Sequence, residues 1–478
     1  MERFRKLFAI SEIPESKILQ IVSGAFLISF LATFSGWVST GFTSKYANIL
    51  CSPHITDCTL YKSIIALTPL PYGYSQTTFY VFLFALISLG FYYIYVKEFE
   101  LLWITIAILW LYKMYIIYGF GAGNYDYYDI ILIAVFLFSK NKLYWLRIFF
   151  LILYFLASTI KIHEGWILGT YFTSLQTGLP IFGNYVAPIA TNIVIISQMV
   201  FSWFLFRPKA SILFNLAFFY FLFFHLYSGI LVEYRYMITS IPLLVILFWL
   251  PDEIHYKKNK DFFAIFFFIT LLCLQSIAIL IPGDQKLTLE GNNYGLYMFE
   301  ANHQCMATYT TNYTDGRVVN ENKQTSDARN RCDPYTYVYG YKNRCGLVGV
   351  KSISFTFDHS INGNPFYRIV DAPNLCTLTY KPFTHNPWIK SGEDNPQMIG
   401  RPVKDFYMVN VSSVGTTTYT KDGLVILPGL ERNSAPTLNP IQKFLYPHLS
   451  IIRFMYWTLW TLEFFAIIYY FFIKKRNI

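Results

Sequence analysis

The chain has 478 residues, of which 54% are hydrophobic, 20% aromatic and only 14% charged. This composition is typical of a polytopic membrane protein and argues against a soluble enzyme. A formal net charge of +10 would suit a nucleic-acid partner. However, the basic residues fall in short clusters between apolar segments, so we expect no nucleic-acid partner.

Apolar stretches with charged flanks predict about ten membrane spans on the criterion of ~20 residues per span. In chain order they are 18–40, 76–96, 100–119, 127–139, 145–163, 188–206, 211–230, 236–250, 261–281 and 449–473. The fourth and eighth are short, and we expect them to be tilted or partly buried. The basic start MERFRKLF is followed by no short apolar region with a cleavage site, which predicts an uncleaved first helix.

The basic residues predict the orientation of these spans. Placing Arg3, Arg5 and Lys6 in the cytosol also places the later basic clusters and the C-terminal KKRNI in the cytosol. Both termini are therefore predicted to be cytosolic. The long segment 282–448 is then lumenal or extracellular, in the endoplasmic reticulum, at the cell surface or, in a bacterium, in the periplasm.

The segment 282–448 has a different composition, rich in Asn, Thr, Tyr, Gly and Pro. Its short alternating runs are SISFTFDH (352–359), FYRIVD (366–371), CTLTYKPF (376–383) and DFYMVNVSS (405–413). Period-two alternation bounded by turn residues predicts a β-rich domain. The predicted fold is thus a polytopic all-α membrane domain of about nine helices over 1–281, a β-rich disulfide-containing external domain over 282–448, and a further transmembrane helix with a basic tail over 449–478.

The cysteines support an external domain. Cys273 lies in an apolar run, which predicts a buried, inert thiol. The other six all fall in segments predicted to lie outside the cytosol: Cys51, Cys58, Cys305, Cys332, Cys345 and Cys376. An even number there predicts disulfides, one of which could join the first loop to the late domain; the connectivity stays open. No spacing suits zinc. Asn312 and Asn410 begin glycosylation sequons.

The stretch LYFLASTIKIHEGWILG (153–169) places Lys161 at the end of an apolar run, directly before His163, Glu164 and Trp166. A cation inside a membrane segment costs at least ~2.5–3.5 kcal/mol, so it usually faces a cavity, a partner or the interface. Two interpretations stay open. Lys161 either snorkels to the headgroups or is a desolvated lysine that acts as a base.

Other ionisable residues also fall near membrane depth. Asp126 and Asp129 lie at the start of the fourth span, and Asp126 is also a candidate helix cap. For His225 in the seventh span, a hydrogen bond to a neighbouring helix is the default expectation. Glu233 and Arg235 are most simply an ion pair at the start of the eighth span, and Lys113 in the third has no evident partner. A lysine, a carboxylate and a histidine converging at the outer side would form a proton-transfer site.

Three stretches carry a resemblance to a known family: LTPLPYGYSQTTFYVFLFALISLG (67–90), YFLASTIKIHEGWILG (154–169) and FFHLYSGILVEYRYMITSIPLL (223–244). In their order and spacing, the region from residue 15 to residue 250 resembles the membrane domain of the horizontally transferred transmembrane (HTTM) family, which includes the vitamin K-dependent γ-glutamyl carboxylases. The external β-rich domain also has a counterpart there.

The resemblance implies a reaction. In the carboxylases the matching lysine deprotonates vitamin K hydroquinone, and oxygenation of the resulting anion yields a strong base. This base removes a γ-proton from a peptide glutamate, and carbon dioxide adds to the carbanion. If these roles are transferred to this sequence, the resemblance implies that Lys161 is the base and that Asp126 and His225 are further catalytic residues. The residues of the quinone or substrate pocket would be His163, Glu164, Trp166, Glu233 and Arg235.

One departure leaves alternatives open. The carboxylases have a histidine where the best match here is Asp126, and an aspartate tends to keep Lys161 charged. The chain is therefore either a carboxylase-like enzyme, a non-carboxylating relative that binds lipid or peptide and assists maturation or export, or a structural subunit of a membrane complex. The enzyme would use a quinol, oxygen and carbon dioxide, no metal, and a secreted or membrane-exposed polypeptide.

Overall fold

A computed structural model describes most of the chain. The described residues are 2–43, 72–120, 124–173, 178–232, 236–250, 261–292, 295–297, 301–325, 332–362, 366–390, 418–419, 424–426 and 438–473. The protein is mostly helical, and a helix lies at each apolar stretch that the sequence marks. These helices are α1 Lys17–Thr43, α2 Tyr72–Val96, α3 Phe99–Phe120, α4 Asn124–Phe138, α5 Lys142–Thr159, α6 Gly183–Met199, α7 Ile212–Ile230, α8 Met237–Leu244, α9 Phe262–Leu280 and α10 Leu449–Ile467.

Shorter helical pieces connect or extend these helices. The short α-helices are Glu2–Leu7, Glu12–Glu15, Glu164–Ile167, Thr170–Thr173, Gln285–Thr288, Pro334–Lys342 and Pro440–Leu445. The 3-10 turns are Phe201–Phe206, Asn343–Gly346, Leu375–Thr377 and Tyr446–His448, and wider π turns at Val245–Trp249 and Ile468–Ile473 continue α8 and α10. The fifth predicted span was expected to continue to residue 163, but α5 ends at Thr159.

Among the described residues, five helical segments are long and apolar enough to cross a membrane. They are Lys17–Ser35, Lys142–Thr159, Ile212–Ile230, Phe262–Leu280 and Pro440–Phe472. In the 18-residue apolar window of Lys142–Thr159, 94% of the residues are buried, whereas in that of Pro440–Phe472 only 6% are. Large side chains such as Phe262 of α9 and Phe454 of α10 are exposed. Such apolar faces suit contact with lipid or with another protein.

By its internal contacts the chain divides into two compact units. Unit 1 comprises Met1–Leu156, Ser197–Thr270 and Leu462–Ile478, and unit 2 comprises Ala157–Ile196 and Leu271–Thr461. The divisions fall inside α5, α6, α9 and α10. The domain boundaries expected from sequence, at 281/282 and 448/449, do not coincide with these divisions. They concern the membrane and external domains rather than the contact units, and they stay predictions.

Unit 2 contains an antiparallel sheet with the strand order β2-β1-β3-β4-β6-β5. The strands are β1 His303–Tyr313, β2 Val318–Thr325, β3 Val350–Ile361, β4 Phe366–Ala372, β5 Thr418–Tyr419 and β6 Leu424–Ile426. Tyr309, Phe355 and Phe357 from β1 and β3 are fully buried on one face. The ring of Tyr341 in the helix Pro334–Lys342 stacks on that of Tyr309 at 3.6 Å between centroids.

The strand predictions have mixed outcomes. The runs 352–359 and 366–371 lie within β3 and β4. The run 376–383 was expected to be a strand, but it begins in a 3-10 turn because the side chain of Asn374 accepts from the N–H of Cys376. The run 405–413 lies outside the described residues, and β1 and β2 were not predicted.

Two disulfides cross-link the part of unit 2 that contains the sheet. Cys305 of β1 pairs with Cys332, and Cys345 pairs with Cys376. A bridge from the first loop to any of these four cysteines, which the sequence left open, is therefore wrong. Cys273 is free and exposed on α9, not buried as expected, because an apolar run in the sequence does not show which of its residues face the core. Cys51 and Cys58 lie outside the described residues.

We expect the Cys305–Cys332 disulfide to be important for stability, because both cysteines are fully buried in the sheet core. Replacing both by serine should lower the free energy of unfolding by about 2–5 kcal/mol. Thermal unfolding of the full chain in detergent, with Cys273→Ser as the control, measures this loss.

Peptide mapping without reduction should recover Cys345 linked to Cys376. A peptide that links either cysteine to Cys51 or Cys58 would contradict the pairing.

Candidate functional site

Lys161 lies in unit 2, in the turn that follows α5. Its side chain is buried, at 5% exposure. The Nζ atom donates to the carbonyl oxygen of Ala157 at 2.8 Å and lies 5.2 Å from the ring centroid of Trp166. The last carbonyls of a helix have no partner within the helix, and a cation there is favourable. Lys161 therefore caps α5, and the expectation that it snorkels to an exposed surface is wrong.

The segment 157–173 around Lys161 is buried but irregular. Irregular backbone away from water needs a partner for each polar group. Its carbonyl groups accept from side chains as follows: Ile160 from Lys286 at 3.3 Å, Gly165 from Thr170 at 3.2 Å, Ile167 from Asn192 at 2.8 Å, Leu168 from Gln442 at 2.9 Å, and Tyr171 from Asn302. Donors that are distant in sequence thus hold this segment in place.

His163 is packed tightly within this segment. It has an extended backbone, and its Nδ1 accepts from the N–H of Gly165 at 3.1 Å, which caps the short helix Glu164–Ile167. A Cβ atom on Gly165 would lie 2.4 Å from Nδ2 of Asn362 and 2.8 Å from Cε1 of His163. Asn362 in turn exchanges two hydrogen bonds of 2.9 Å with Asn302. The site has no room for a larger residue at position 165.

A pair of histidines lies on the neighbouring strands β1 and β3. Nδ1 of His303 lies 3.0 Å from Nε2 of His359, whose Nδ1 donates to the carbonyl oxygen of Leu287 at 2.6 Å. Both rings are buried. The sequence pattern indicated only Lys161 and His163, because Lys286, His303 and His359 lie more than a hundred residues further along the chain and form no local motif.

Trp166 and Glu164, which were also predicted for the pocket, differ in burial. Trp166 is 4% exposed and stacks on Tyr171, with 5.2 Å between ring centroids. The carboxylate of Glu164 is partly exposed and lies 3.8 Å from the guanidinium of Arg453. Trp166 therefore forms a wall for the ammonium of Lys161, whereas Glu164 is a carboxylate at the edge of this segment.

His225 lies in unit 1, on α7. It is buried, and its Nε2 forms a hydrogen bond with the hydroxyl of Tyr154 on α5. This is the bond to a neighbouring helix that the sequence led us to expect. The ring of Tyr236 lies edge-on to that of His225, at 5.4 Å between centroids. The histidine is thus enclosed by aromatic residues.

The convergence of the predicted catalytic residues stays a prediction. Lys161 belongs to unit 2 and His225 to unit 1. Asp126 falls in the first turn of α4, and its side chain lies outside the described part of the chain. Glu233 and Arg235 also lie outside the described residues.

Neither a family model, nor a curated protein, nor a solved structure matches the chain. The resemblance to the HTTM family therefore rests on the three sequence stretches quoted above and stays a prediction. The function has to be argued from the geometry of the site.

Proposed function

We propose that this chain is a multi-pass integral membrane protein with cytosolic termini and a disulfide-bonded domain on the opposite side of the membrane. Two observations support this. Five described helical segments have the length and composition of membrane spans. The two disulfides also suit an oxidising compartment, since cytosolic thiols are kept reduced.

We further propose that the segment around Lys161 is a proton-transfer site for a lipid-soluble quinol and that the reaction resembles vitamin K-dependent γ-carboxylation of glutamate. The observation that carries this proposal is the burial of Lys161 at the end of α5, with His163 two residues away. A lysine base has to be neutral to accept a proton, and an apolar enclosure favours the neutral amine.

A second function is favoured by the contacts of Lys161 themselves. Both the carbonyl of Ala157 and the ring of Trp166 stabilise an ammonium ion. A charged Lys161 would bind a carboxylate or a phosphate rather than remove a proton. The chain would then be a non-carboxylating protein that binds an anionic lipid or a peptide and assists its maturation or export.

The first experiment measures incorporation of radioactive bicarbonate into glutamate-containing peptides by the purified protein, with oxygen and a reduced quinone present. Lys286→Met is the matched control for Lys161→Met, because Lys286 is equally buried and bonds a carbonyl of the same turn. If Lys161 is the base, its substitution should reduce incorporation by about 10²–10⁴-fold, while Lys286→Met keeps most of the activity.

The other outcomes discriminate between the alternatives. Equal losses of activity and of melting temperature in both variants would mean that Lys161 only caps the helix. If the wild type incorporates no label but retains an anionic lipid or peptide that Lys161→Met releases, the binding function is supported. A wild type that does neither would leave the role of a structural subunit and contradict both proposals.

A further inference from the structure

Unit 1 contains a buried ion pair between neighbouring helices. Lys113 of α3 is fully buried and Asp129 of α4 is 2% exposed, and the distance from Nζ to Oδ2 is 2.8 Å. The sequence showed no evident partner for Lys113 and left a structural role or snorkelling open; the partner could not be seen there, because the two residues are neighbours only after α3 and α4 pack together. Ionisable residues in apolar helices are costly to bury and typically belong to proton or ion pathways.

Hydroxyl groups from two more helices complete this site. Ser29 of α1 donates from Oγ to Oδ2 of Asp129 and lies 3.1 Å from Oγ1 of Thr239 on α8. Thr33, one turn after Ser29, accepts from Nζ of Lys113 at 3.2 Å. The carboxylate of Asp129 therefore connects side chains from four helices.

The two oxygens of Asp129 differ in their contacts. Oδ2 accepts from both Lys113 and Ser29, whereas Oδ1 is buried and has no hydrogen-bond partner among the described residues. A buried carboxylate oxygen without a donor is unfavourable and rare in native proteins. Its position indicates where a ligand of Asp129 would bind.

The chemistry of the site favours a proton as this ligand. A hard metal ion requires about six oxygen ligands, and the ammonium of Lys113 already lies against the carboxylate. A proton needs only one oxygen and little volume. Ser29, the other described donor to the carboxylate, is a hydroxyl that does not titrate. The titratable groups near Asp129 among the described residues include Tyr128, adjacent in α4, and Tyr236, whose ring stacks on that of Tyr128 with 6.3 Å between centroids.

We propose that Asp129 is a proton-binding site that links protonation to the packing of α1, α3, α4 and α8. A proton from solvent binds at Oδ1 and neutralises the carboxylate, while Lys113 keeps its own proton and charge. The ion pair becomes an ion–dipole contact, which weakens the connection between the helices. This inference concerns unit 1 and does not depend on any role of Lys161.

Infrared spectroscopy of the full chain in lipid nanodiscs tests the proposal over the pH range in which the protein stays folded. We expect the C=O stretch of a protonated carboxyl group to grow as the pH falls, to shift in D₂O, and to be absent in Asp129→Asn. Asp261→Asn is the matched control. Asp261 is also buried in unit 1, but its Oδ2 accepts from the N–H of Lys140 at 2.6 Å and its Oδ1 from that of Phe263 at 3.0 Å, so both of its oxygens have donors and its substitution should leave the band unchanged.

Two further variants keep the test decisive if Asp129→Asn does not fold. Ser29→Ala removes a donor to the same carboxylate and should shift the frequency of the band. Lys113→Met removes the neighbouring cation and should change the pH range over which the band develops. The proposal is overturned if no such band develops, if the band persists in Asp129→Asn, or if neither variant changes it.

Discussion

Replacing Asp358 by alanine is expected to destabilise the sheet of unit 2 by about 3–5 kcal/mol, because the guanidinium of Arg368 would stay buried without its counter-charge. Asp358 is fully buried in β3 and lies directly opposite Arg368, 8% exposed, in β4. The pair is bidentate: Nε of Arg368 donates to one carboxylate oxygen and Nη2 to the other, the latter at 3.0 Å. The shift in melting temperature of the full chain in detergent measures the effect.

The control for this prediction is an exposed pair in the same domain. Arg317 and Asp315 lie in the turn between β1 and β2, with 69% and 51% of their side chains exposed. Asp315→Ala should therefore change the stability by only ~0–1 kcal/mol. If Asp358→Ala and Asp315→Ala lower the stability equally, the buried pair contributes no more to stability than the exposed pair does.

A double substitution separates the charge effect from the packing effect. Burial raises the pKa of the Asp358 carboxyl, and the bonds with Arg368 offset this only in part. The ionised pair is thus costly to keep. Replacing both residues together, as Asp358→Leu with Arg368→Met, should recover most of the stability lost in Asp358→Ala, because no unpaired charge remains.

Gly169→Ala is expected to disrupt the segment around Lys161. Gly169 has φ +68°, which costs a residue with a side chain ~1–2 kcal/mol. A Cβ atom there would also lie 2.5 Å from the backbone nitrogen of Pro188 and 2.7 Å from the carbonyl carbon of Ala187. Because backbone atoms cannot rotate away, this overlap should add about 1–3 kcal/mol. The melting temperature and the Lys161-dependent activity or binding should both fall.

Gly183→Ala provides a matched comparison. Gly183 also has φ +68°, but a Cβ atom there would meet nothing within 4 Å. It should therefore show only the conformational cost of ~1–2 kcal/mol. The difference between the two variants measures the overlap at Gly169. If the variants are equally stable, the close approach of Gly169 to α6 is not a constraint.

Several features of the fold follow from local sequence. Each apolar stretch forms a helix because its length and composition are properties of consecutive residues. The runs 352–359 and 366–371 alternate clearly, and both lie in strands because one face of each is buried in the core. β1 was not predicted, because threonines and other polar residues fall on both faces of the strand, so its alternation of apolar and polar residues is weak.

The candidate site shows the limit of this approach. The charge and the apolar context of Lys161 singled it out as a residue that either snorkels or is desolvated, and the structure shows that its side chain is buried. Its role as a helix cap could not be predicted, since a lysine at the end of an apolar run has the same local pattern whether it snorkels, caps a helix or acts as a base. Lys286 and the pair of His303 and His359 have no local signal at all.

By itself, the sequence determined where the helices lie, that the chain carries membrane-length apolar segments, and which cysteines are available for disulfides. Only the tertiary structure decided which polar groups meet: Lys113 with Asp129 and Ser29, Asp358 with Arg368, and the paired cysteines. The physical reason is the separation along the chain. The hydropathy of a segment is a property of consecutive residues, whereas the partner of a buried charge is distant in sequence and depends on which helices and strands pack together.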